Sequence, residues 1–302
     1  MNLRVASATT TAAKVATKTD FAALIAGLVT VTLWGSAFVG IRAAGGALSP
    51  GALALGRLIV SSAMLSTVAL VRREPLPNRR DLVSIATYGV LWLAGYSVML
   101  NTAERLVDAG TAAMLINTGP IVIAILAGLL LQEGFPPGLF SGSAVAFAGC
   151  ALIGFATSQS QTRAGIGIGL CVLAALAYSL AVVVQKPVLA RVSAFQVTWL
   201  GCAAATVACL PFAPTLALEA AHADATTIGW MIYLGVMPTA IGFATWTFAL
   251  RRTSAGRMGS LTYLSPLVAI LLGWVVLGET PPWLAVAGGA LCLTGVAITR
   301  RV

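Results

Sequence analysis

Apolar runs of about 20 residues, the length a helix needs to cross a bilayer, follow one another along almost the whole chain. Each closes on a short polar, glycine- or proline-containing link. The pattern predicts ten helical spans, at residues 21–42, 50–71, 82–103, 108–132, 136–156, 164–186, 193–213, 226–250, 255–277 and 281–299. Most links are short, so neighbouring helices are expected to run antiparallel. Longer links stand at 72–81, which is charged, and at 214–225, which carries Glu219, His222 and Asp224.

The pattern repeats. With an offset of 146 positions and no gaps, Ala109 meets Ala255, Pro120 meets Pro266, Glu133 meets Glu279, Pro136 meets Pro282 and Gly149 meets Gly295. This relates spans three to five to spans eight to ten. A fainter match at an offset of 144 relates the first two spans to the sixth and seventh, with Trp34 meeting Tyr178, Arg42 meeting Lys186 and Ser49 meeting Ser193. Five is an odd number of crossings, so the second copy must enter the membrane from the opposite side. The expected fold is an all-α membrane protein of ten transmembrane helices, arranged as two inverted five-helix repeats at 20–157 and 164–300. Residues 1–19 are expected to form a disordered cytoplasmic tail. Inverted repeats are a common build for secondary transporters, because exchanging the conformations of the halves exchanges the open side.

Composition agrees with a membrane. The 302 residues are 59% hydrophobic and 9% charged, with a mean hydropathy of +0.95. A soluble domain carries roughly a quarter charged residues. A net charge of +9 would suggest nucleic acid in a soluble protein, but here placement matters more. Arg4, Lys14, Lys18, Arg72, Arg73, Arg79, Arg80, Lys186, Arg191, Arg251, Arg252, Arg257, Arg300 and Arg301 fall on the side of the N-terminus; Arg42, Arg105 and Arg163 fall on the other. The positive-inside bias puts both termini in the cytoplasm, in a bacterial-type inner membrane, with no nucleic-acid partner.

Little points to catalysis. The five cysteines lie in apolar runs, are odd in number and lack CxxC spacing, so they are expected to be apolar filler and not a disulfide framework or metal site. No GxxxxGKS phosphate loop, metal-spaced His/Cys/Asp cluster or Ser–His pair is present. No enzyme activity, cofactor or metal is expected.

The segments LWGSAF (Leu33–Phe38), SPGALALGRL (Ser49–Leu58), the Pro120 and Pro266 helices, LGETPPW (Leu277–Trp283) and the closing GGALCLTGVAI resemble the EamA-type domain of the drug/metabolite transporter superfamily. The resemblance covers roughly 21–299 and implies a ten-span secondary transporter. Among bacterial members the chain looks most like exporters of amino acids and aromatic metabolites. The implied activity is export of small metabolites, amino acids first, by alternating access without ATP, as facilitated diffusion or exchange. Its rivals are broad-specificity drug efflux and, from another class, a non-transporting membrane scaffold or receptor. The expected partners are a small-molecule solute and membrane lipids, and one chain holding both repeats suits a monomer.

Candidate residues follow from helical spacing. Tyr88, Trp92, Tyr96 and Met99 share one face of the third span at spacings of four and three, a stacking wall for an apolar or aromatic solute. Phe243 and Trp246 are placed opposite by the repeat, and Trp34, Tyr178 and Gln185 lie in comparable places in the first and sixth spans. Pro120 and Pro266 interrupt corresponding helices and are hinge candidates, flanked by Asn117 and Thr118 and by Tyr263 and Ser265, whose polar groups suit the freed backbone or the solute. Arg57 is the one charge well inside a span, suited to a substrate carboxylate or, as the favoured expectation, to backbone carbonyls or the outer surface. Glu133 and Glu279 are expected to cap the helices that follow them. No Asp, Glu or His stands mid-span, which favours transport driven by the solute gradient over proton coupling.

Overall fold

The computed structural model describes residues 20–44, 46–106, 112, 115–157, 164–277 and 282–300. Every regular element among them is helical: α1 (Phe21–Ala44), α2 (Pro50–Arg72), α3 (Arg79–Ala103), α4 (Gly119–Leu130), α5 (Pro137–Thr157), α6 (Ala164–Val188), α7 (Ala194–His222), α8 (Ala225–Arg252), α9 (255–277) and α10 (Trp283–Arg300). Eight of these are long and apolar enough to cross a membrane, while α4 and α10 are shorter apolar helices. The spans expected from 108 and from 281 begin outside the described residues, as do the tail 1–19 and Glu279.

Short polar side chains start the helices. Asn78, Asp224 and Ser254 each accept the backbone N–H three residues on, and Ser193 forms a reciprocal capping box with Gln196. Such caps satisfy donors that the first helical turn leaves unpaired. In one place the expected boundary moves. The link expected at 214–225 is helical to His222, because Pro211 falls in a single 3₁₀ turn and Pro214 in the first turn of the next segment. A proline in a first turn forfeits no helical hydrogen bond.

The helices alternate between a near face, where α1 begins, and a far face, where it ends. Near-face contacts join Asp20 to Arg252 and Asp81 to Arg191, and the Gln196 side chain donates to the Pro75 carbonyl. The Asp81 carboxylate also raises the pKa of Arg191. At the far face Glu219 accepts the Ser49 N–H at 2.7 Å, and Arg105 donates to the Leu48 carbonyl at 3.2 Å. Large apolar side chains such as Leu70, Val71, Phe155, Ile166 and Val275 point out of the bundle. On a soluble surface they would be costly; against lipid tails they are at home.

The two halves exchange their leading helices. Helix α1 packs on α8 and α9, and α6 packs on α3 and α4. Helices α5 and α10 cross so closely that a Cβ at Gly142 would stand 2.6 Å from the Gly295 carbonyl oxygen, and one at Gly149 2.5 Å from that of Gly288. Small residues permit such close crossings in membranes. The sequence offset of 146 turns one of these contacts into the other: Gly142 becomes Gly288 and Gly295 is the image of Gly149. At the crossing point Cys292 meets its own image, its thiol 3.5 Å from the Ala146 carbonyl.

Candidate functional site

Two π-helical stretches frame the centre: Gly89–Tyr96 in α3 and Gly235–Ile241 in α8. They stand at repeat-equivalent positions. Each opens on a glycine pressed against a neighbouring backbone, Gly89 on the Gly201 carbonyl of α7 and Gly235 on the Arg57 carbonyl of α2, where a Cβ would stand 2.8 Å from the oxygen. Short π segments in α-helices are frequent at functional sites.

Between them lies a cavity. Its floor is aromatic. Trp92 is the hub, with ring centroids 5.1 Å from Phe243 and Trp246, 5.5 Å from Tyr178, 5.7 Å from Trp34 and 6.0 Å from Tyr88. Tyr96 extends the cluster to Tyr178 at 5.7 Å. Edge and tilted pairs of this kind contribute about 0.5–1.5 kcal/mol each beyond burial. The Trp34 indole N–H donates to the Pro238 carbonyl at 3.2 Å. From this floor the wall runs toward the far face through Ala37 and Ile41 of α1, Arg57 of α2, Ser97, Leu100 and Asn101 of α3, and Ile116 and Asn117 ahead of α4. Thr262, Ser265 and Pro266 complete it from α9.

The near-face side of the floor is sealed. Trp246 is fully buried, and its indole N–H donates to the Gln185 side-chain oxygen at 3.2 Å. The Gln185 amide donates to the Thr247 hydroxyl at 3.1 Å, and Thr198 lies 3.1 Å from the same oxygen. One turn further out the Lys186 ammonium donates to the Leu250 carbonyl at 2.6 Å and also to that of Thr253. These are end carbonyls of α8, where a cation is favoured. Glu133 accepts the backbone N–H groups of Ala255 and Gly256 at 2.9 and 3.3 Å. It therefore caps α9, across the repeat boundary, and not the helix that follows it, because the turn after α4 folds back toward the start of α9.

Of the candidate residues, Trp34, Trp92, Tyr96, Asn117, Tyr178 and Phe243 line the cavity. Tyr88, Gln185, Trp246 and Tyr263 do not. Tyr88 is buried beneath Trp92 against Gly201, Gln185 and Trp246 belong to the seal, and Tyr263 is buried near Cys150, whose thiol lies 3.6 Å from its carbonyl. Met99 also falls off the wall. The π stretch widens the turn, so the cavity face passes from Trp92 and Tyr96 to Ser97, Leu100 and Asn101, a phase that 3.6-residue spacing misses.

The prolines need a similar correction. Neither sits inside a continuous helix. The chain turns at Asn117–Thr118 and Pro120 lies in the first turn of α4; a 3₁₀ turn at Thr262–Leu264 precedes Pro266 in the first turn of its segment. The breaks are repeat-equivalent, and each proline begins a helix where its missing N–H costs nothing. Among the described residues Arg57 bonds no carbonyl, and it does not reach the outer surface. It is buried, it lines the cavity, and its Nε donates to the Thr239 hydroxyl at 2.9 Å.

Comparison with known proteins accords with this architecture. The model of the EamA-like transporter family matches residues 21–155 and again 165–301. A protein of Streptantibioticus cattleyicolor named probable terminal-alkyne amino-acid exporter is 36% identical, over 91% of this chain and 92% of its own. The uncharacterized transporter YdfC of Bacillus subtilis is 31% identical over 89% and 88%. A probable amino-acid metabolite efflux pump of Salmonella typhimurium is 26% identical over 90% and 92%. A crystal structure at 21% identity superposes with a TM-score of 0.75 over 93% of this chain and 98% of its own, which shows a shared fold. With both halves matched, the chain belongs to the EamA-like transporter family and is a multi-pass membrane transporter, not an enzyme.

Proposed function

We propose that the protein exports small amino acids and related metabolites with apolar or aromatic side chains, by alternating access and without ATP. Ten spans form two inverted five-helix repeats in a bacterial-type inner membrane, with the near face and both termini cytoplasmic. The observation that carries this reading is a ring-floored cavity whose wall runs toward the far face and whose near-face side is sealed by residues at repeat-equivalent positions. Ile41, Leu100 and Asn101 of the far wall correspond to Gln185, Trp246 and Thr247 of the seal. Interconversion of the two ends would move the opening across the membrane.

Other features support the same reading. The interchange of the α5–α10 glycine contacts and the paired π segments favour the inverted duplication. Arg72, Arg73, Arg79, Arg80, Lys186, Arg191, Arg251, Arg252 and Arg257 gather at the near face, as the cytoplasmic side requires. The breaks before Pro120 and Pro266 are the places where α4 and α9 can bend. The names of the relatives from Streptantibioticus and Salmonella point to amino-acid solutes. The solute gradient drives transport.

The test is counterflow of a labelled amino-acid panel in proteoliposomes of the full chain. Saturable exchange of phenylalanine, leucine or related solutes, unaffected by an imposed pH gradient, is expected. Preference for lipophilic cations over amino acids would point to drug efflux, stoichiometric proton movement would overturn gradient-driven exchange, and the absence of flux with every solute would favour a scaffold.

A further inference from the structure

We propose that Arg57 is the carboxylate anchor of the cavity, so that the protein selects solutes carrying a carboxylate at one end and an apolar group at the other. The inference rests on the export reading above and names the chemistry its cavity takes. Arg57 is 9% exposed in the interior of a membrane bundle. A charge there is expensive and marks function unless it is paired. Its Nε donates to Thr239, whose hydroxyl donates in turn to the Leu234 carbonyl at 2.7 Å, and that is the only hydrogen bond of the guanidinium among the described residues. An arginine fork carries five N–H donors, so its terminal nitrogens remain for a ligand. Among the described residues that line the cavity, Arg57 is the one charged side chain.

The repeat argues that the side chain is not there for packing. The equivalent of Arg57 is Gly201. Gly89 approaches the Gly201 carbonyl as Gly235 approaches that of Arg57. The image site therefore makes the same backbone contact with no side chain at Gly201, and Tyr88 of α3 fills the space there. The first half puts a guanidinium at this position and leaves the space beside it open.

The anchor also has a direction. Trp34 holds the Pro238 carbonyl while Arg57 holds the Thr239 hydroxyl, so the guanidinium and the indole grip consecutive residues of α8. A carboxylate bound by the fork in bidentate fashion sets the rest of the solute against the Trp34–Trp92 floor. On α9 the Ser265 hydroxyl is buried in the same wall without a hydrogen-bond partner among the described residues. It offers an acceptor to the ammonium of an amino acid.

Intrinsic tryptophan fluorescence of the purified full-length protein, titrated with L-phenylalanine, 3-phenylpropionate, L-phenylalaninamide and phenethylamine, tests this. Counterflow of the same compounds runs beside it. The two carboxylates should bind wild type about tenfold or more tightly than the two compounds without one, the scale of a lost charge-assisted hydrogen bond. Arg57→Gln should weaken phenylalanine by about the same factor while leaving the amide within about threefold, and Arg57→Lys should recover part of the loss. The proposal is overturned if wild type binds phenylalanine and its amide equally, if it binds neither, or if Arg57→Gln keeps the preference. Should Arg57→Gln fail to fold, the wild-type comparison alone decides. Phenylalanine flux without carboxylate preference removes the anchor and leaves the export reading standing. A carboxylate preference that Arg57→Gln abolishes, without flux in wild type, removes export and leaves the anchor.

Discussion

The two ends of the bundle hold repeat-equivalent positions, yet the side chains interlock at one and line the cavity wall at the other. At the near face Gln185, Trp246 and Thr247 interlock by hydrogen bonds and ring packing, with Lys186 clamping the end of α8. Toward the far face the same positions hold Ile41, Leu100 and Asn101, which line the cavity wall. Isoleucine cannot donate to an asparagine, and leucine is smaller than an indole. The Asn101 amide instead donates to the Pro50 carbonyl of α2 at 3.2 Å. At matching backbone positions the two ends thus differ in side-chain chemistry, and it is that choice of side chains that interlocks one end and leaves the other lining the cavity.

The interface between α5 and α10 should be indifferent to that choice, and breaking it should have the largest effect. A Gly149→Leu side chain has no room against Gly288, so loss of monodisperse protein in size-exclusion chromatography is expected, whereas Gly165→Leu, with nothing within 4 Å of its Cβ, should behave as wild type. Next, Trp92→Ala removes the hub of the ring floor. A buried aromatic truncated to Ala costs about 3–5 kcal/mol. A fall in Tm together with loss of counterflow is expected; retained saturable flux would exclude the floor from the solute path.

Two smaller changes act on the comparison itself. Lys186→Met removes charge-assisted hydrogen bonds, worth about 1.5–3 kcal/mol each, from the closed end only. The population should shift toward a near-open state. An Asn101→Cys reporter reads the shift, because the native Cys150, Cys171, Cys202, Cys209 and Cys292 are all buried. Labelling of that reporter from the far face by a membrane-impermeant maleimide should slow when Lys186→Met is added. Gln185→Leu should slow it in the same direction but less, since interhelical hydrogen bonds contribute about 1 kcal/mol or less. Unchanged labelling in both would mean that these contacts do not hold the seal.

Much of this was legible in the chain. The apolar runs located the helices, and the 146-residue offset paired Gly149 with Gly295 and Pro120 with Pro266 before any coordinates. The ring stripe led to Trp92 and Tyr96, which do line the cavity. It also took in Tyr88, which does not, because period alone cannot tell the cavity side of a ring cluster from the side that packs on Gly201. Ser97 and Asn101 had no signal of their own, since short polar residues in apolar helices usually satisfy a neighbouring carbonyl, and Ser265 was legible only as a polar neighbour of Pro266. Glu133 was legible as a cap but not as the cap of α9, since the partner lies more than a hundred residues away.

The sequence by itself determined membrane residence, helix order, the duplication and the sidedness of charge. These depend on hydrophobicity, period and count, all local or additive along the chain. Only the tertiary structure decided which end carries the interlocked side chains, where the π segments shift the phase of α3 and α8, and that Arg57 faces a cavity. Those depend on which side chains meet across helices distant in sequence, and a gap or a filled space between helices leaves no mark in the period of any one of them.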